Sequence, residues 1–270
     1  LDAALDQMSR WRSEGLDLAV SVNIAACHLQ QADFLERLQA KLDAHPNVPS
    51  ANLELEVVET AALEGVSRIS TLIEDCRSLG VRFSLDDFGT GYSSLTYLRR
   101  LPASVLKIDQ SFVRDMLWDS EDLAIVEGVI GLAAAFRRTV IAEGVETAEH
   151  GELLLRLGCD LAQGYGIARP MPADAIPGWA STWKQEPTWG ARRNLCATRD
   201  DLPLMYAEVE LRHWVKCVES CFVNATSVQT AADLCEYRFG NWYQADGQNQ
   251  YGRLTAFGAI GPLQEALLAL

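Results

Sequence analysis

Two adjacent aspartates, Asp86 and Asp87, close the apolar run VRFSL and lead straight into a loop with two glycines, FGTGYSSL. Adjacent side chains point to opposite sides of a regular strand, so both serve one site only where the chain leaves the pleat. One carboxylate can then bridge two cations while its neighbour serves the second. Two divalent ions about 4 Å apart clamp the attacking and leaving oxygens of a phosphoryl displacement. Asn23 and Glu56 are oxygen donors of the same hard type, suited to Mg²⁺ or Mn²⁺, and no His or Cys stands among them to favour zinc. Lys107 can orient an attacking water or neutralise developing charge. Glu143 can ligate the second metal or accept the water's proton, and Gln163 can position that water through hydrogen bonds.

Taken singly, each of these residues is an ordinary helix cap or solvated carboxylate, and Lys107 in VLKID could equally pair with Asp109. Grouped, four carboxylates buried at one rim without cations would carry several kcal/mol of desolvation and repulsion. The cluster is the signal, and its elements must bring it together.

Short β-like runs alternate with amphipathic stretches from about residue 18 to 167. The predicted strands are LAVSVN (18–23), LELEVV (53–58), VRFSLDD (81–87), VLKID (105–109), TVIAEGV (139–145) and LAQGYG (161–166). Between them FLERLQAKL, ISTLIEDCRSL, LAIVEGVIGLAAAF and HGELLLRL are long enough for crossover helices, so the strands should be parallel with helices outside. A polar residue sits near the C-terminal end of each strand. Strand ends converge on one mouth in a barrel but spread along a crest in an open sheet, which points to an α/β (β/α)8-type, TIM-like barrel. Six strands are two short of eight, and LDAALDQMSRWRSEG reads as a helix with Leu1, Leu5, Met8 and Trp11 on one side, so two strands are expected to lie upstream of Leu1.

At 270 residues and 49% hydrophobic, the chain can bury a large core and a smaller one. No long apolar span or leader is visible, and seven cysteines, mostly in periodic segments, suit a reducing cytoplasm. A formal charge of −14 removes the electrostatic basis for binding nucleic-acid polymers, though metals can still hold a small phosphorylated ligand.

The stretches VSVN (20–23), LELEVVET (53–60), DDFGTGYSSL (86–95), LPASVLKIDQSFV (101–113), IAEGVET (141–147) and LGCDLAQGYGIARPMP (157–172) resemble, in that order, the EAL-domain phosphodiesterases of bacterial cyclic di-GMP signalling. The likeness spans about residues 1–183. It implies a barrel with an antiparallel first strand and metal-dependent hydrolysis of cyclic di-GMP to pGpG in the bacterial cytoplasm. By position it assigns Asn23, Glu56, Asp86, Asp87 and Glu143 to two Mg²⁺ or Mn²⁺ ions, and Lys107, Glu143 and Gln163 to water positioning and catalysis. Glu59 and Glu146 match glutamates that hold the lid loop and support the site. The loop, 87–95, implies a lid or a homodimer contact near the metals; a tight βα connection capped by Ser93 or Ser94 is the plainer alternative. The glutamate-alanine-leucine signature itself does not occur in these stretches. The resemblance therefore implies an active parent protein and an inactive chain from Leu1, with a non-catalytic cyclic di-GMP receptor or a signalling scaffold as alternatives.

A linker is expected over 184–200 and an all-α domain over 201–270. The latter resembles the chemoreceptor zinc-binding (CZB) module in RHWVK, YRFGNWY and GPLQEALLAL, but the four zinc positions fall on Leu211, Tyr237, Gln264 and Leu268. His213, Cys217, Cys221 and Cys235 are the alternative donors, Cys217 and Cys221 sharing a helix face. The expectation is a helical appendage without zinc.

Overall fold

The computed structural model describes residues 1–59, 66–91, 95–192, 198, 200–223 and 238–263. The elements run α1 (Asp2–Ser13), β1 (Val20–Asn23), α2 (Ala26–Leu29), α3 (Phe34–Asp43), β2 (Leu53–Val58), α4 (Val66–Ser78), β3 (Arg82–Phe88), α5 (Leu95–Arg100), β4 (Val105–Ile108), α6 (Gln110–Asp115), α7 (Ser120–Ala135), β5 (Thr139–Ala142), α8 (Ala148–Leu157), α9 (Ile176–Thr182), α10 (Pro187–Arg192), α11 (Leu202–Val223), α12 (Arg238–Trp242), a π-helical turn (Tyr243–Gly247), α13 (Gln248–Tyr251) and α14 (Thr255–Gly258). The chain divides into two compact units, Leu1–Arg114 with Ile125–Cys196, and Asp115–Ala124 with Ala197–Leu270. Among the described residues, no helix is long and apolar enough to cross a membrane.

In the first unit the five strands pair in parallel and in chain order, β1-β2-β3-β4-β5. A doubly wound sheet reverses its order at a switch point, whereas a barrel never does, so the unbroken order is that of a TIM-like α/β barrel. Period-two alternation divides the strand side chains. On β2, Leu53, Leu55 and Val57 are almost fully buried, as are Phe83 and Leu85 on β3 and Leu106 and Ile108 on β4. The helices answer with stripes at helical spacing: Leu5, Met8 and Trp11 on α1, Phe34, Leu38 and Leu42 on α3, and Ile69, Ile73 and Cys76 on α4. Each such aliphatic side chain contributes about 1.5–3 kcal/mol on burial. Burial also pushes the Cys76 thiol up to about 12 and the Cys159 thiol up to about 11, so both are inert packing groups.

The sixth expected strand, 161–166, is reduced to one bridge, Ala142 with Ala162. Four backbone hydrogen bonds link it to the preceding segment: Ala142 N to Leu161 O, Gln163 N to Ala142 O, Val145 N to Gln163 O, and Gly166 N to Val145 O. The ladder stops because the backbones come too close to stay pleated. A Cβ on Gly164 would lie 2.3 Å from backbone atoms of Val145. β5 likewise ends at Ala142 rather than 145, and Gly144 follows with φ 76°.

Residues 187–192, placed in the linker by composition, form α10. Its Trp189 is buried, donates from Nε1 to Ala148 O at 2.8 Å, and lies where a Cβ on Gly151 would be 2.4 Å from its ring. α8, which it covers, is capped by Thr147 and ends at a left-handed Gly158.

In the second unit the described parts of 201–270 are helical. On α11 Met205 and Val209 are buried on one side and Ala207 and Trp214 on the other, and Phe239, Trp242, Tyr243, Tyr251 and Phe257 make an aromatic cluster. Cys27, Cys76 and Cys159 are free thiols, but Cys217 is disulfide-bonded, which departs from the reducing-compartment reading at that position.

Trp189→Ala is expected to cost about 3–5 kcal/mol, as for other buried tryptophans. Urea unfolding followed by circular dichroism checks this; a change below about 0.5 kcal/mol would return residues 187–192 to a linker.

Candidate active site

The face of the sheet opposite the aliphatic one is polar, and strand register builds it in rows. Ser21, Glu54 and Arg82 are neighbours across β1, β2 and β3, and Asn23, Glu56 and Ser84 form the next row toward the C-terminal ends. In the first row Ser21 Oγ donates to Glu54 Oε1 at 3.1 Å and Arg82 Nε lies 3.9 Å from Glu54 Oε2. The second row opens onto the cluster.

Lys107, on the fully buried strand β4, sends its ammonium into that row. Nζ lies 3.0 Å from Glu56 Oε1, 3.0 Å from Asp86 Oδ1 and 2.5 Å from Glu143 Oε1. Gln163 Nε2 donates to the same Glu143 oxygen at 2.7 Å. The lysine thus pairs with three carboxylates from other segments rather than with Asp109. Burial disfavours its charge, but hydrogen bonds and attraction from Glu143, Asp86 and Glu56 outweigh that and hold the ammonium above the ordinary lysine range. Burial pushes the Glu143 carboxyl up despite the lysine beside it.

Asp87 joins Asp86 because the strand breaks its pleat between them. The β3–β4 register shifts between Leu85 and Phe88, and Asp87 takes a left-handed conformation, φ 55°. Aspartate is one of the few non-glycine residues that tolerate this, at a cost of order 1–2 kcal/mol. Carboxylate oxygens of Asp86, Asp87 and Glu143 consequently all lie within 4.8 Å of one another. Burial, then repulsion from Asp86 and Asp109, holds the Asp87 carboxyl above its usual range, and Asp109 also hydrogen-bonds it. Asp109 is fixed in turn by the Ser111 backbone N–H at 2.9 Å and the Ser111 hydroxyl.

The remaining predicted residues surround this centre. Asn23 stands opposite Glu56 in register at the exposed end of β1, where it lines a cavity of about 250 Å³. Glu59 is wholly buried. Its Oε2 accepts the Gly89 N–H at 3.0 Å, and Oε1 has no hydrogen-bond partner among the described residues. A Cβ on Gly91 would be 2.6 Å from Oε1, so the Glu59 carboxylate is seated against the start of the loop after β3. Tyr92, Ser93 and Ser94, which complete the expected lid, lie outside the described residues. Glu146 is exposed and, with Glu143 and Gln163, lines a cavity of about 680 Å³. The Arg169 guanidinium there lies 4.9 Å from the centre of the Tyr165 ring, a group that periodicity did not single out.

The donor set suits hard divalent cations. Three carboxylates converge, and Asp86 Oδ1 is buried 3.0 Å from the ammonium. In the second unit His213 Nε2 is 3.6 Å from Cys217 Sγ, but that sulfur is already in a disulfide. The Cys221 side chain and Cys235, Tyr237, Gln264 and Leu268 lie outside the described residues.

Residues 1–170 match the family model described as EAL domain. MucR of Pseudomonas aeruginosa, a bifunctional diguanylate cyclase/cyclic di-GMP phosphodiesterase, is 42% identical over 177 residues, which are 65% of this chain and 26% of that protein. The chain thus spans about a quarter of MucR's length. The solved cyclic di-GMP complex of the MucR phosphodiesterase superposes with a TM-score of 0.62 at 40% identity, covering 65% of this chain and 71% of that one. The manganese and cyclic di-GMP complex of Klebsiella pneumoniae BlrP1 gives 0.57 at 28% identity, over 63% and 42%.

Lys107→Met is expected to destabilise the first unit by about 3–5 kcal/mol in chelator-treated buffer, since it strands buried carboxylates. In the variant the Glu143 carboxyl, raised by burial, loses the lysine that lowers it, so stability is kept at low pH and lost as pH rises through its folded pKa. Thermal melts should show a larger deficit at pH 8 than at pH 5; an equal deficit would mean the loss is one of packing alone.

Proposed function

The chain belongs to the EAL domain family, and on that premise we propose that the whole protein hydrolyses cyclic di-GMP to linear pGpG with Mg²⁺ or Mn²⁺. The observation that carries this reading is the convergence of Glu56, Asp86 and Glu143 on the Lys107 ammonium, with Asp87 beside them. MucR's named activity and the manganese complex of BlrP1 support it.

Asn23, Glu56, Asp86, Asp87 and Glu143 would hold divalent cations, whose charge would draw the phosphodiester and the attacking water together. A water oxygen bonds to phosphorus and one P–O ester bond of the ring breaks, leaving a phosphate at one end and a hydroxyl at the other. Glu143 accepts the water's proton, the leaving oxygen takes up one proton to become the hydroxyl, and burial holds the Glu143 carboxyl above the usual carboxylate range. Gln163 and Lys107 fix Glu143 in place, and the lysine offsets charge developing on the phosphoryl oxygens. Glu59 anchors the loop behind the aspartates, and Glu146 borders the cavity that would receive the dinucleotide. Tyr165 and Arg169 give that cavity a ring face and a positive charge matched to a purine nucleotide.

Residues 1–183 are read as the catalytic barrel, and 201–270 as a helical appendage related to the CZB module, with Leu211 at the first of its lost zinc positions. The loop over 87–95 is read as a homodimer contact.

Purified whole protein is expected to convert cyclic di-GMP to pGpG with Mn²⁺ or Mg²⁺ and to stop on chelation. Asp86→Asn should lower turnover at least about 10²-fold while circular dichroism stays unchanged, in line with the loss of a metal ligand. Unaltered turnover in that variant, monitored by chromatography of the nucleotides, would sink the assignment.

A further inference from the structure

α1 carries two faces of different character. Leu5, Met8 and Trp11 lie buried on one, while Asp2, Asp6 and Ser9, spaced by four and three, form a polar row on another. Each member of that row meets a side chain from α3 or from the turn that follows it. Lys41 Nζ donates to Asp2 Oδ1, the His45 ring places Nε2 3.0 Å from Asp6 Oδ1, and Asn47 Nδ2 donates to Ser9 Oγ at 2.9 Å. Three polar contacts thus join two helices of the first unit.

The middle contact differs from its neighbours in chemistry. The ammonium and carboxylate of the first keep their charges, and the hydroxyl and amide of the third have none, across the range in which histidine titrates. His45 also makes a second bond. α3 ends at Asp43, and Ala40 O accepts the Ala44 N–H while Leu42 O accepts the His45 N–H, which leaves Lys41 O to His45 Nδ1 at 2.7 Å. A backbone carbonyl and a carboxylate can only accept, so the ring serves both when each nitrogen carries a proton. The imidazolium then also sits at a helix C-terminus, where positive charge is favoured. A neutral ring must give up one of the two bonds.

The charged groups facing the ring are Asp6 and Asp2 of α1, both attractive, and on its own helix Lys41 directs its ammonium to Asp2. The Lys41 carbonyl, then Asp6, holds the His45 ring above the ordinary histidine range against the opposing effect of burial. With the folded value the higher one, the stabilisation is complete below the unfolded pKa and is lost as pH rises through the folded pKa. We propose that His45 is a pH-sensitive latch: as imidazolium it clamps α1 to α3, and on losing its proton it frees the polar side of α1 while Leu5, Met8 and Trp11 stay buried. Leu1 and Asp2 at the head of α1, with Arg37, Leu38 and Lys41 of α3, line the cavity that includes Asn23, so the latch sets the spacing of that cavity's walls. The phosphodiesterase reading plays no part in it.

Proton NMR of the full chain, with the His45 resonance assigned by its loss in His45→Gln, is expected to give a titration midpoint above that of histidine in the urea-unfolded chain. Asp6→Asn, a change at an exposed side chain, should lower that midpoint. Hydrogen exchange corrected for intrinsic rates should show the α1 amides losing about threefold to tenfold in protection between about pH 6 and about pH 8 while α8 keeps its own, and both variants should abolish that loss. A midpoint at or below the unfolded one, no lowering in Asp6→Asn, or the same loss of α1 protection in either variant would overturn the proposal. None of these measurements involves nucleotide turnover, so failure here leaves the hydrolase assignment untouched.

Discussion

One buried ammonium organises the first unit. Lys107 reaches from β4 to Glu56 on β2, Asp86 on β3 and Glu143 after β5, so a single cation ties together the C-terminal ends of four segments. Removing such a charge from water costs several kcal/mol, and the contacts repay this only when geometry is tight. The net effect on stability is therefore modest, and the larger consequence is positional. The carboxylates cannot splay apart without leaving the ammonium unpaired, and the ammonium cannot leave without exposing three like charges to one another.

That arrangement depends on the sheet having two unlike faces. Period-two alternation puts Leu53, Leu55 and Val57 against the helices and Glu54 and Glu56 on the other side. A shift of one residue in β2 would exchange the two sets, burying glutamates under helices and turning leucines toward the polar cluster. The hydrophobic packing that stabilises the fold thus also fixes the register of the site. The unbroken strand order then stacks the polar rows side by side.

Much of this was legible because alternation and strand ends are written in residue order. Strands β1 to β4 fall within a residue or two of their expected bounds, and the polar ends of β2, β3 and β4 meet as the barrel reading required. What escaped depended on contacts across the chain. The local sequence VLKID offers Lys107 its neighbour Asp109, but the strand projects the ammonium toward other strands, and Asp109 turns to Asp87 and Ser111 instead. Trp189 lay in a stretch rich in proline and charge, and only the gap at Gly151 makes it a buried anchor. The sixth strand failed for a similar reason: LAQGYG has the composition of a strand, yet its glycines serve close backbone approach rather than pleating.

Charge balance at the centre gives the arrangement its chemical direction. Glu56, Asp86, Asp87 and Glu143 set four carboxylates against one ammonium, a deficit of about three charges if all are ionised. Part of that deficit is relieved by protons: Asp87 and Glu143 are both held above the usual carboxylate range, each chiefly by burial. A proton on either acid is the weaker solution, because it neutralises one oxygen and leaves the rest of the cluster to repel. Two divalent cations would oversupply the deficit by about one charge, which is the sign needed beside a phosphodiester anion. The same cluster that strains a cation-free protein is therefore matched, in donor type and in charge, to the metals and the anionic nucleotide of the proposed reaction.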